Sequence, residues 1–500
     1  MRCKSLFMTG LIALVLVISS QIQAATWNLP GSGAWNADTS WTSPATFPNG
    51  IDAVANLTND ISGAATVSLN QAITIGSMTA GDSFAAFNNF TVATGTGTNS
   101  LTFDVTAGNA TLTKNSPGGG NLTISAGVVL NDKLDVTLDD SLGVITISGA
   151  ISGSGGIEKF GNGTGFLGSR LTLSGANTYD GDTVITGGRL RTLTSVSSIP
   201  SGAGKGDVIV GASGGLELGI SVGSTQTING LGGSGVVFHG GASPGAPSAI
   251  TLSIGSEDAT GFDFAGIIQM DPATAVDPLN RRFNLTKVGS GVQTLSGANT
   301  YPGTTNVSAG TLLVNGSHSP FSANPNAAIG AYTVATGATL GGTGVIGAPV
   351  NLSGTISPGV AVGTLTVGNL TQQDGATTLF ELNPTDTMPG SGINDLIDIV
   401  GDLVGLDGTT VNVSVLDYVN NTDLAAEGTW TLAFYDSVAG TGIPTFNVLG
   451  VDPGYNYSVN LTNLVGPGAV QLTLTTIPEP GALALIVVGL SAFGRIARRK

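Results

Sequence analysis

A seven-residue segment occurs twice in this chain, and its recurrence restricts the possible folds more than any other feature. Leu-Ser-Gly-Ala-Asn-Thr-Tyr stands at 173–179 and again at 295–301. A lysine precedes each copy, Lys159 before the first and Lys287 before the second, and the gap from lysine to leucine is longer in the first copy. Similar units that differ by a loop insertion are typical of folds in which one coil stacks on another.

The rest of the chain favours strands over helices. Apolar and polar residues alternate with period two, which predicts strands with one buried face and one wet face. No convincing helical period occurs between Ala25 and Thr476, and 77 glycines divide the apolar runs into short pieces. Short strands of this kind are typical of a sandwich, a barrel or a solenoid, and the repeat favours the solenoid. The clearest alternating runs are 101–105, 134–138, 411–415 and 470–474.

The repeated unit resembles the autotransporter-associated β-strand repeat, and the resemblance is clearest at 151–192 and 280–316. Copies of that repeat form the rungs of a right-handed parallel β-helix. The resemblance therefore implies an all-β fold with a β-solenoid over 81–385, in a secreted bacterial protein. We expect an N-terminal β cap at 25–80 and a terminal β module at 386–476 on either side of the solenoid.

Aromatic residues at the predicted cap and repeats allow two interpretations. Trp27, Trp35 and Trp41 either stack on sugar rings or seal the open end of the solenoid, as terminal repeats require. Tyr179 and Tyr301 close the two repeat copies, and they either contact sugars or cover the coil beside a glycine turn. We favour the structural interpretation in both cases.

The terminal module is predicted from its strand patterns. The run at 395–400 and the alternating strand at 411–415 lead to Trp430. We expect these strands to pack on the solenoid or to continue it. Trp430 should be at least partly buried, because a tryptophan on a strand usually contributes core area.

The segment 477–500 has the composition of a sorting signal rather than of a globular core. It contains Pro478, Glu479 and Pro480, and then an uncharged, mostly apolar run at 481–494. A helix that spans a bilayer needs about 20 residues, and this run is shorter, so it predicts a short or temporary anchor. Four cations close the segment and would hold its end on the cytoplasmic side: Arg495, Arg498, Arg499 and Lys500.

This order of features resembles the PEP-CTERM sorting tail of Gram-negative bacteria. In that family a membrane protease called exosortase is thought to recognise the Pro-Glu-Pro motif, here 478–480. The resemblance implies an exosortase-type protease as a partner and transient inner-membrane anchorage by a short C-terminal transmembrane helix. The alternative is an ordinary membrane helix that follows a chance Pro-Glu-Pro.

The segment 1–24 predicts export through a secretory signal peptide. Arg2 and Lys4 supply a positive start, 11–18 is apolar almost throughout, and Ala24 offers a small residue for cleavage. The single cysteine, Cys3, lies in the part that would be removed. The mature chain would then contain no disulfide, so packing and backbone hydrogen bonds must stabilise it.

The charge of the chain disfavours nucleic acid as a partner. The formal net charge is −16, and only ten of the 16 cations lie between Trp27 and Thr476. These ten are interpreted as scattered, with no basic stripe, whereas phosphate binding requires clustered Lys and Arg. They are Lys114, Lys133, Lys159, Arg170, Arg189, Arg191, Lys205, Arg281, Arg282 and Lys287.

No residue pattern predicts catalysis, a cofactor or a metal. His239 and His318 are the only histidines, they stand in unrelated contexts, and His239 is interpreted as an incidental strand residue. Asp180 and Asp182 suggest a calcium or paired-carboxylate site, but the second repeat copy lacks these acids. A second calcium-like group lacks the nonapeptide of calcium-binding β-rolls and consists of Asp395, Asp398 and Asp402.

Two functions of different classes follow. The first is a non-enzymatic surface or matrix protein, adhesin-like and associated with exopolysaccharide or other surface glycans. The second is a secreted β-helix polysaccharide lyase or glycoside hydrolase, which would need Asp, Arg, Lys or His clustered on one face. We favour the first, and the discriminating observation is whether three or more of these charged groups converge in one groove of the folded structure.

Overall fold

The computed structural model describes fourteen segments of the chain: 24–42, 46–82, 88–115, 120–138, 143–163, 168–193, 197–219, 223–240, 248–270, 281–319, 330–359, 361–390, 392–405 and 408–477. Among these residues, the regular secondary structure consists of β-strands and one turn of 3₁₀ helix at Asp38–Ser40. The predicted signal sequence up to residue 23, and the predicted sorting motif and C-terminal helix at 478–500, lie outside the described residues.

The described residues form 47 strands, most of them short. The first sixteen are β1 (Ala25–Trp27), β2 (Gly33–Ala34), β3 (Trp41–Thr42), β4 (Val54–Leu57), β5 (Ala65–Leu69), β6 (Ile73–Ile75), β7 (Ser77–Ala80), β8 (Phe90–Thr94), β9 (Ser100–Phe103), β10 (Ala110–Lys114), β11 (Leu122–Ile124), β12 (Gly127–Leu130), β13 (Leu134–Leu138), β14 (Val144–Ile147), β15 (Ile151–Ser152) and β16 (Ile157–Gly161). The next sixteen are β17 (Arg170–Leu173), β18 (Thr183–Thr192), β19 (Val208–Leu218), β20 (Thr225–Ile228), β21 (Leu231–Gly233), β22 (Val236–His239), β23 (Ser248–Ile254), β24 (Phe262–Phe264), β25 (Ile267–Met270), β26 (Arg281–Lys287), β27 (Val292–Leu295), β28 (Ala298–Asn299), β29 (Thr305–Val307), β30 (Thr311–Val314), β31 (Ser317–His318) and β32 (Tyr332–Val334). The last fifteen are β33 (Thr339–Gly342), β34 (Val345–Ile346), β35 (Val350–Leu352), β36 (Thr355–Pro358), β37 (Thr364–Val367), β38 (Leu370–Gln372), β39 (Thr377–Leu382), β40 (Leu396–Ile399), β41 (Asp402–Gly405), β42 (Thr410–Asp417), β43 (Gly428–Tyr435), β44 (Ser437–Gly440), β45 (Thr445–Leu449), β46 (Tyr455–Leu461) and β47 (Gly468–Thr476).

Strands three positions apart in this order lie side by side and run parallel over most of the chain. Strands β4, β7, β10 and β13 form one such series, and β20, β23, β26 and β29 form another. Each coil of chain therefore supplies three strands, and the next coil lies on it in the same order. The all-β prediction is confirmed, and the long parallel sheets are consistent with a β-solenoid.

The length of a coil varies along the chain. Leu340 lies opposite Ile356, whereas Phe380 lies opposite Val415, so the second of these coils is more than twice as long as the first. Turns and loops absorb the difference, because the strands that pair remain similar in length. Parallel pairing begins at the strand 25–27 and continues to the strand 445–449, so it extends beyond 81–385 at both ends.

A continuous apolar core runs through the stacked coils. Along β13, Leu134, Val136 and Leu138 are buried, while the two residues between them are partly exposed. The same alternation holds along β42. Side chains on one face of each strand therefore stack on those of the next coil and remove apolar surface from water.

Three tryptophans form a buried cluster at the first coils. The ring centroids of Trp27 and Trp41 are 5.3 Å apart, and those of Trp35 and Trp41 are 4.9 Å apart, both edge to face. The indole nitrogen of Trp35 donates a hydrogen bond of 2.9 Å to the carbonyl oxygen of Pro48. Because all three side chains are buried, they cannot serve as a platform for sugar rings.

The pairing pattern changes near residue 430. Strand β43 is parallel to β40 on one side and antiparallel to β47 on the other, and β46 also pairs antiparallel with β47. Trp430 of β43 is fully buried, and its indole nitrogen donates a hydrogen bond of 3.0 Å to the carbonyl oxygen of Asn383. The prediction that Trp430 is at least partly buried is confirmed.

Candidate functional site

The two repeat copies bury a lysine in the same place. The Nζ of Lys159 donates hydrogen bonds to the carbonyl oxygens of Phe160 and Gly187, at 2.6 and 3.2 Å. The Nζ of Lys287 makes the matching bonds to Val288 and Ala309, at 2.6 and 3.4 Å. Burial lowers the pKa of both lysines, that of Lys159 to about 7. These lysines tie neighbouring coils together and are not surface cations.

The repeated asparagine also binds the neighbouring coil. The Oδ1 of Asn177 accepts a hydrogen bond of 2.9 Å from the backbone N–H of Ile151, and that of Asn299 accepts one of 2.9 Å from Ile268. Both asparagines are buried, so these bonds satisfy backbone groups that water cannot reach. The repeated motif is therefore explained by the contacts between coils.

The glycine of the motif leaves no space for a side chain. A Cβ on Gly175 would overlap the carbonyl oxygen of Gly149, and one on Gly297 would overlap the carbonyl oxygen of Gly266. The backbone of each copy thus lies directly against the backbone of the preceding coil.

Tyr179 and Tyr301 cover the inside of the coil and do not contact solvent. Both are buried, and their hydroxyl groups bond to the Oγ1 atoms of Thr183 and Thr305, at 2.6 and 2.7 Å. The sugar-contact alternative is wrong for both tyrosines because neither ring is accessible.

His318 belongs to a buried aromatic stack that the sequence analysis did not identify. Its ring lies 4.0 Å from that of Tyr301, nearly parallel to it. Its Nε2 lies 2.9 Å from the carbonyl oxygen of Tyr301, and its Nδ1 lies 2.8 Å from the hydroxyl of Tyr332. The carbonyl can only accept, so Nε2 carries the proton and Nδ1 accepts from Tyr332. Burial lowers the pKa of His318 to about 4.

This histidine should make stability depend on pH. The pKa of His318 is about 4 when folded and 6.5 in an ordinary setting, so the unfolded chain binds the proton first. Stability that is present above pH 6.5 is therefore lost as the pH falls towards 4, by about 3 kcal/mol. We expect urea unfolding of the His318→Gln variant to lose less stability than the parent over this interval. Equal losses in the two proteins would contradict the assignment.

Four of the five acids suggested as calcium ligands have structural partners. Asp180 pairs with the Nζ of Lys205 at 2.6 Å, and Asp182 accepts a hydrogen bond of 2.9 Å from the backbone of Asp207. The buried carboxylate of Asp395 accepts hydrogen bonds of 2.7 Å from the backbones of Gly363 and Glu381.

The structure also gives the positions of Asp402 and His239. Asp402 accepts a hydrogen bond from Ser437. His239 is buried in β22.

In the part of the chain that the structure describes, no three His, Cys, Asp or Glu side chains are grouped so that they could hold a metal ion. The same part contains no helix with the length and hydropathy needed to cross a membrane.

Charged side chains do converge at one place on the outer face of the coils, on strands β17, β18 and β19. Arg170 lies opposite Arg189 on the neighbouring strand, and Arg191 lies opposite Glu217 on the strand after that. We call these four residues the arginine cluster. The interpretation of the cations as scattered is wrong for these three arginines.

Glu217 forms ion pairs with two of the three arginines in the arginine cluster. The Nη1 of Arg189 lies 3.3 Å from Oε2 of Glu217, and the Nε of Arg191 lies 3.1 Å from Oε1. Arg191 Nε and Glu217 Oε2 have no aligned hydrogen-bond partner. Among the described residues, the Nε of Arg170 has no hydrogen-bond partner. Burial, Arg189 and Arg191 lower the pKa of Arg170, whereas Glu217 raises it.

The arginine cluster supplies positive charge but no acid–base pair. Arginine stays protonated in proteins, so none of the three can accept a proton at neutral pH. Glycoside hydrolysis generally needs two carboxyl groups, and the cluster contains only that of Glu217. Four charged groups therefore lie together on one face of the coils, and three of the four are arginines.

The remaining predicted site residues belong to the predicted signal peptide and sorting tail. Ala24 is exposed and directly precedes β1. Pro478, Glu479, Pro480 and the four terminal cations lie outside the described residues, so their roles remain predictions.

Comparison with known proteins identifies the repeats. Residues 168–191 and 285–314 match the passenger-associated transport repeat. The chain is also 34% identical over 158 residues to the adhesin BmaC autotransporter of Brucella suis biovar 1 (strain 1330). That alignment covers 29% of this chain and 4% of the relative. Both matched segments lie within the predicted segments 151–192 and 280–316, so the resemblance to autotransporter-associated repeats is confirmed there.

Proposed function

We propose that this chain is an exported, non-enzymatic adhesin-like protein that acts at the cell surface or in the extracellular matrix. The observation that carries the proposal is the pair of matched repeats, whose lysine, asparagine and tyrosine make the same contacts in both copies. The partial likeness to an autotransporter adhesin supports the same class of protein. In this proposal the coils form a right-handed parallel β-helix that presents its outer face to surface glycans.

We also propose that the sorting tail directs the protein to its destination. Prolines on both sides of Glu479 keep that residue extended and prevent helical hydrogen bonding, which suits recognition by an exosortase-type protease. The apolar run 481–494 and the four terminal cations would hold the site at the membrane during processing. Nucleic acid has no part in this function.

The experiment that tests this proposal is fractionation of cells that express tail variants. Replacing Pro478, Glu479 and Pro480 by alanine should leave export intact but trap the full-length protein in the membrane. Deleting 477–500 should release the protein in soluble form. Surface labelling and immunoblotting of each fraction measure both outcomes.

Two results would contradict different parts of the proposal. Processing of the triple-alanine variant like the parent would reduce the tail to a simple anchor. Recovery of the parent only from the cytoplasm would refute a role at the surface, whatever the tail does.

A further inference from the structure

The sheet that contains Trp430 ends in an open strand. Its strand order is β28, β31, β34, β37, β40, β43, β47 and β46, so β46 is the last strand and pairs with β47. Among the described residues, no strand pairs with the other side of β46. We call this side the open edge of β46. The N–H and C=O groups along such an edge can pair with a further strand.

Alternate residues of β46 direct their backbone groups to the open edge. The backbone N–H of Thr462, directly after the strand, donates a hydrogen bond of 3.0 Å to the carbonyl oxygen of Ala469. Hydrogen-bonded pairs alternate along an antiparallel ladder, so the even-numbered positions of β46 are the ones that bond to β47. The N–H and C=O groups of Tyr457, Val459 and Leu461 therefore point away from β47, and no described residue supplies a partner for them.

Strand β46 lacks the features that protect an exposed edge. Such edges in natural proteins carry lysine, proline or a β-bulge that prevents the addition of another strand. The strand reads Tyr-Asn-Tyr-Ser-Val-Asn-Leu, without charge or proline, and its pairing with β47 shows no register shift. The net charge of the whole chain is −16, so two copies can approach closely only where neither presents a charge. The uncharged strand β46 meets that condition.

We propose that the open edge of β46 pairs with the same edge of a second copy of this chain. The two strands run antiparallel about a twofold axis at Ser458, so that all seven residues of each strand overlap. In this register Tyr455 lies opposite Leu461 of the second copy, and Tyr457 lies opposite Val459. These are the residues whose backbone groups face the open edge, so they form the hydrogen-bonded pairs. Aromatic side chains then meet aliphatic ones, which is a favourable cross-strand combination.

The solvent-facing side of β46 is self-complementary in the same register. Asn456 lies opposite Asn460 of the second copy, and Ser458 lies opposite its own symmetry mate, so uncharged polar groups meet. Ser458 takes a non-hydrogen-bonded position, where facing Cα atoms are about 4.5 Å apart. The pairing joins two eight-stranded sheets into one. A single pair of short strands is smaller than a standard interface, so we expect a reversible dimer with a Kd of roughly micromolar size.

Sedimentation velocity of the full-length protein over a range of concentrations can test this pairing. Excess non-ionic detergent keeps two apolar runs 481–494 from sharing one micelle. We expect the parent to dimerise. Ser458→Lys places two cations opposite each other at the axis and should raise the Kd at least tenfold, and Ser458→Glu should do the same with two anions. A mixture of the two variants should associate at least as tightly as the parent, because opposite charges then face each other. A role of Ser458 in the fold alone would not produce this recovery.

The matched control is Thr429→Lys. Thr429 is exposed and lies in the same row of the sheet as Ser458, two strands away from it. The control variant adds the same charge and should dimerise like the parent. Val459→Pro removes an N–H group that points away from β47, so the hairpin should remain while the dimer is lost. Circular dichroism shows whether each variant is folded.

Several results would overturn the proposal. These are a parent that stays monomeric well above the expected Kd, equal dimerisation of Ser458→Lys and the parent, an equal loss in Thr429→Lys, or no recovery in the mixture. If deletion of 478–500 turns a monomeric parent into a dimer, the chain's own C-terminal segment covers the open edge and the second copy does not. None of these results depends on glycan binding, so the proposed function would stand if this pairing failed.

Discussion

Replacing Trp35 with alanine should lower the free energy of unfolding by about 3–5 kcal/mol, the range for a large buried aromatic side chain. Trp35 is fully buried, packs edge to face on Trp41, and donates a hydrogen bond to Pro48. Its removal leaves a cavity in the first coils and an unsatisfied carbonyl group. Because each coil contacts mainly its neighbours, the loss should be concentrated at the N-terminal end. Hydrogen exchange measured by mass spectrometry can locate it.

Two controls make this result specific. Trp35→Phe keeps an aromatic ring but loses the indole N–H, so its loss should be smaller than that of the alanine variant. Ile51→Ala changes a side chain that is 56% exposed and should have little effect. Uniformly faster exchange along the whole chain in Trp35→Ala would show that the coils unfold as one unit, against the expectation of local loss.

A loss of similar size, about 3–5 kcal/mol, is expected for Trp430→Ala, at the opposite end of the stack. Trp430 lies on the strand that joins the last parallel pair of its sheet to the antiparallel pair, and it is fully buried. Its hydrogen bond to Asn383 also links this strand to an earlier loop. The melting temperature should fall, and proteolysis should begin within 428–476.

The control for this prediction is Tyr457→Ala on the neighbouring antiparallel pair. The Tyr457 side chain is 48% exposed, so its removal should change the melting temperature little. An unchanged melting temperature in Trp430→Ala would mean that the antiparallel strands are not coupled to the parallel coils.

Period-two patterns predicted the strands well because inward residues of a stacked coil must be apolar. Leu134, Val136 and Leu138 illustrate this, and so does the burial of Trp430. The pattern made no prediction for His318, because this residue lies on a strand too short to show any period.

The arginine cluster could not be predicted because its formation depends on coil length. Arg189 and Arg191 are separated by a single residue, which places them on one face of a strand. Arg170 joins them only because the length of this coil sets it opposite Arg189. Other coils are shorter or much longer, so sequence spacing alone does not reveal which charges meet.

Inner residues of the coils hold the stack together, whereas outer residues face away from the core. This difference has a consequence for how such chains evolve. Contacts between coils use the buried lysine and asparagine, which occur in both repeat copies. A duplicated coil inherits these contacts and can join the stack at once, while its outer residues are free to change. Gene duplication followed by divergence of the outer face would then yield new binding specificities without the need to invent a new core. The arginines of one repeat copy and the neutral residues of the other are the pattern that such a history leaves.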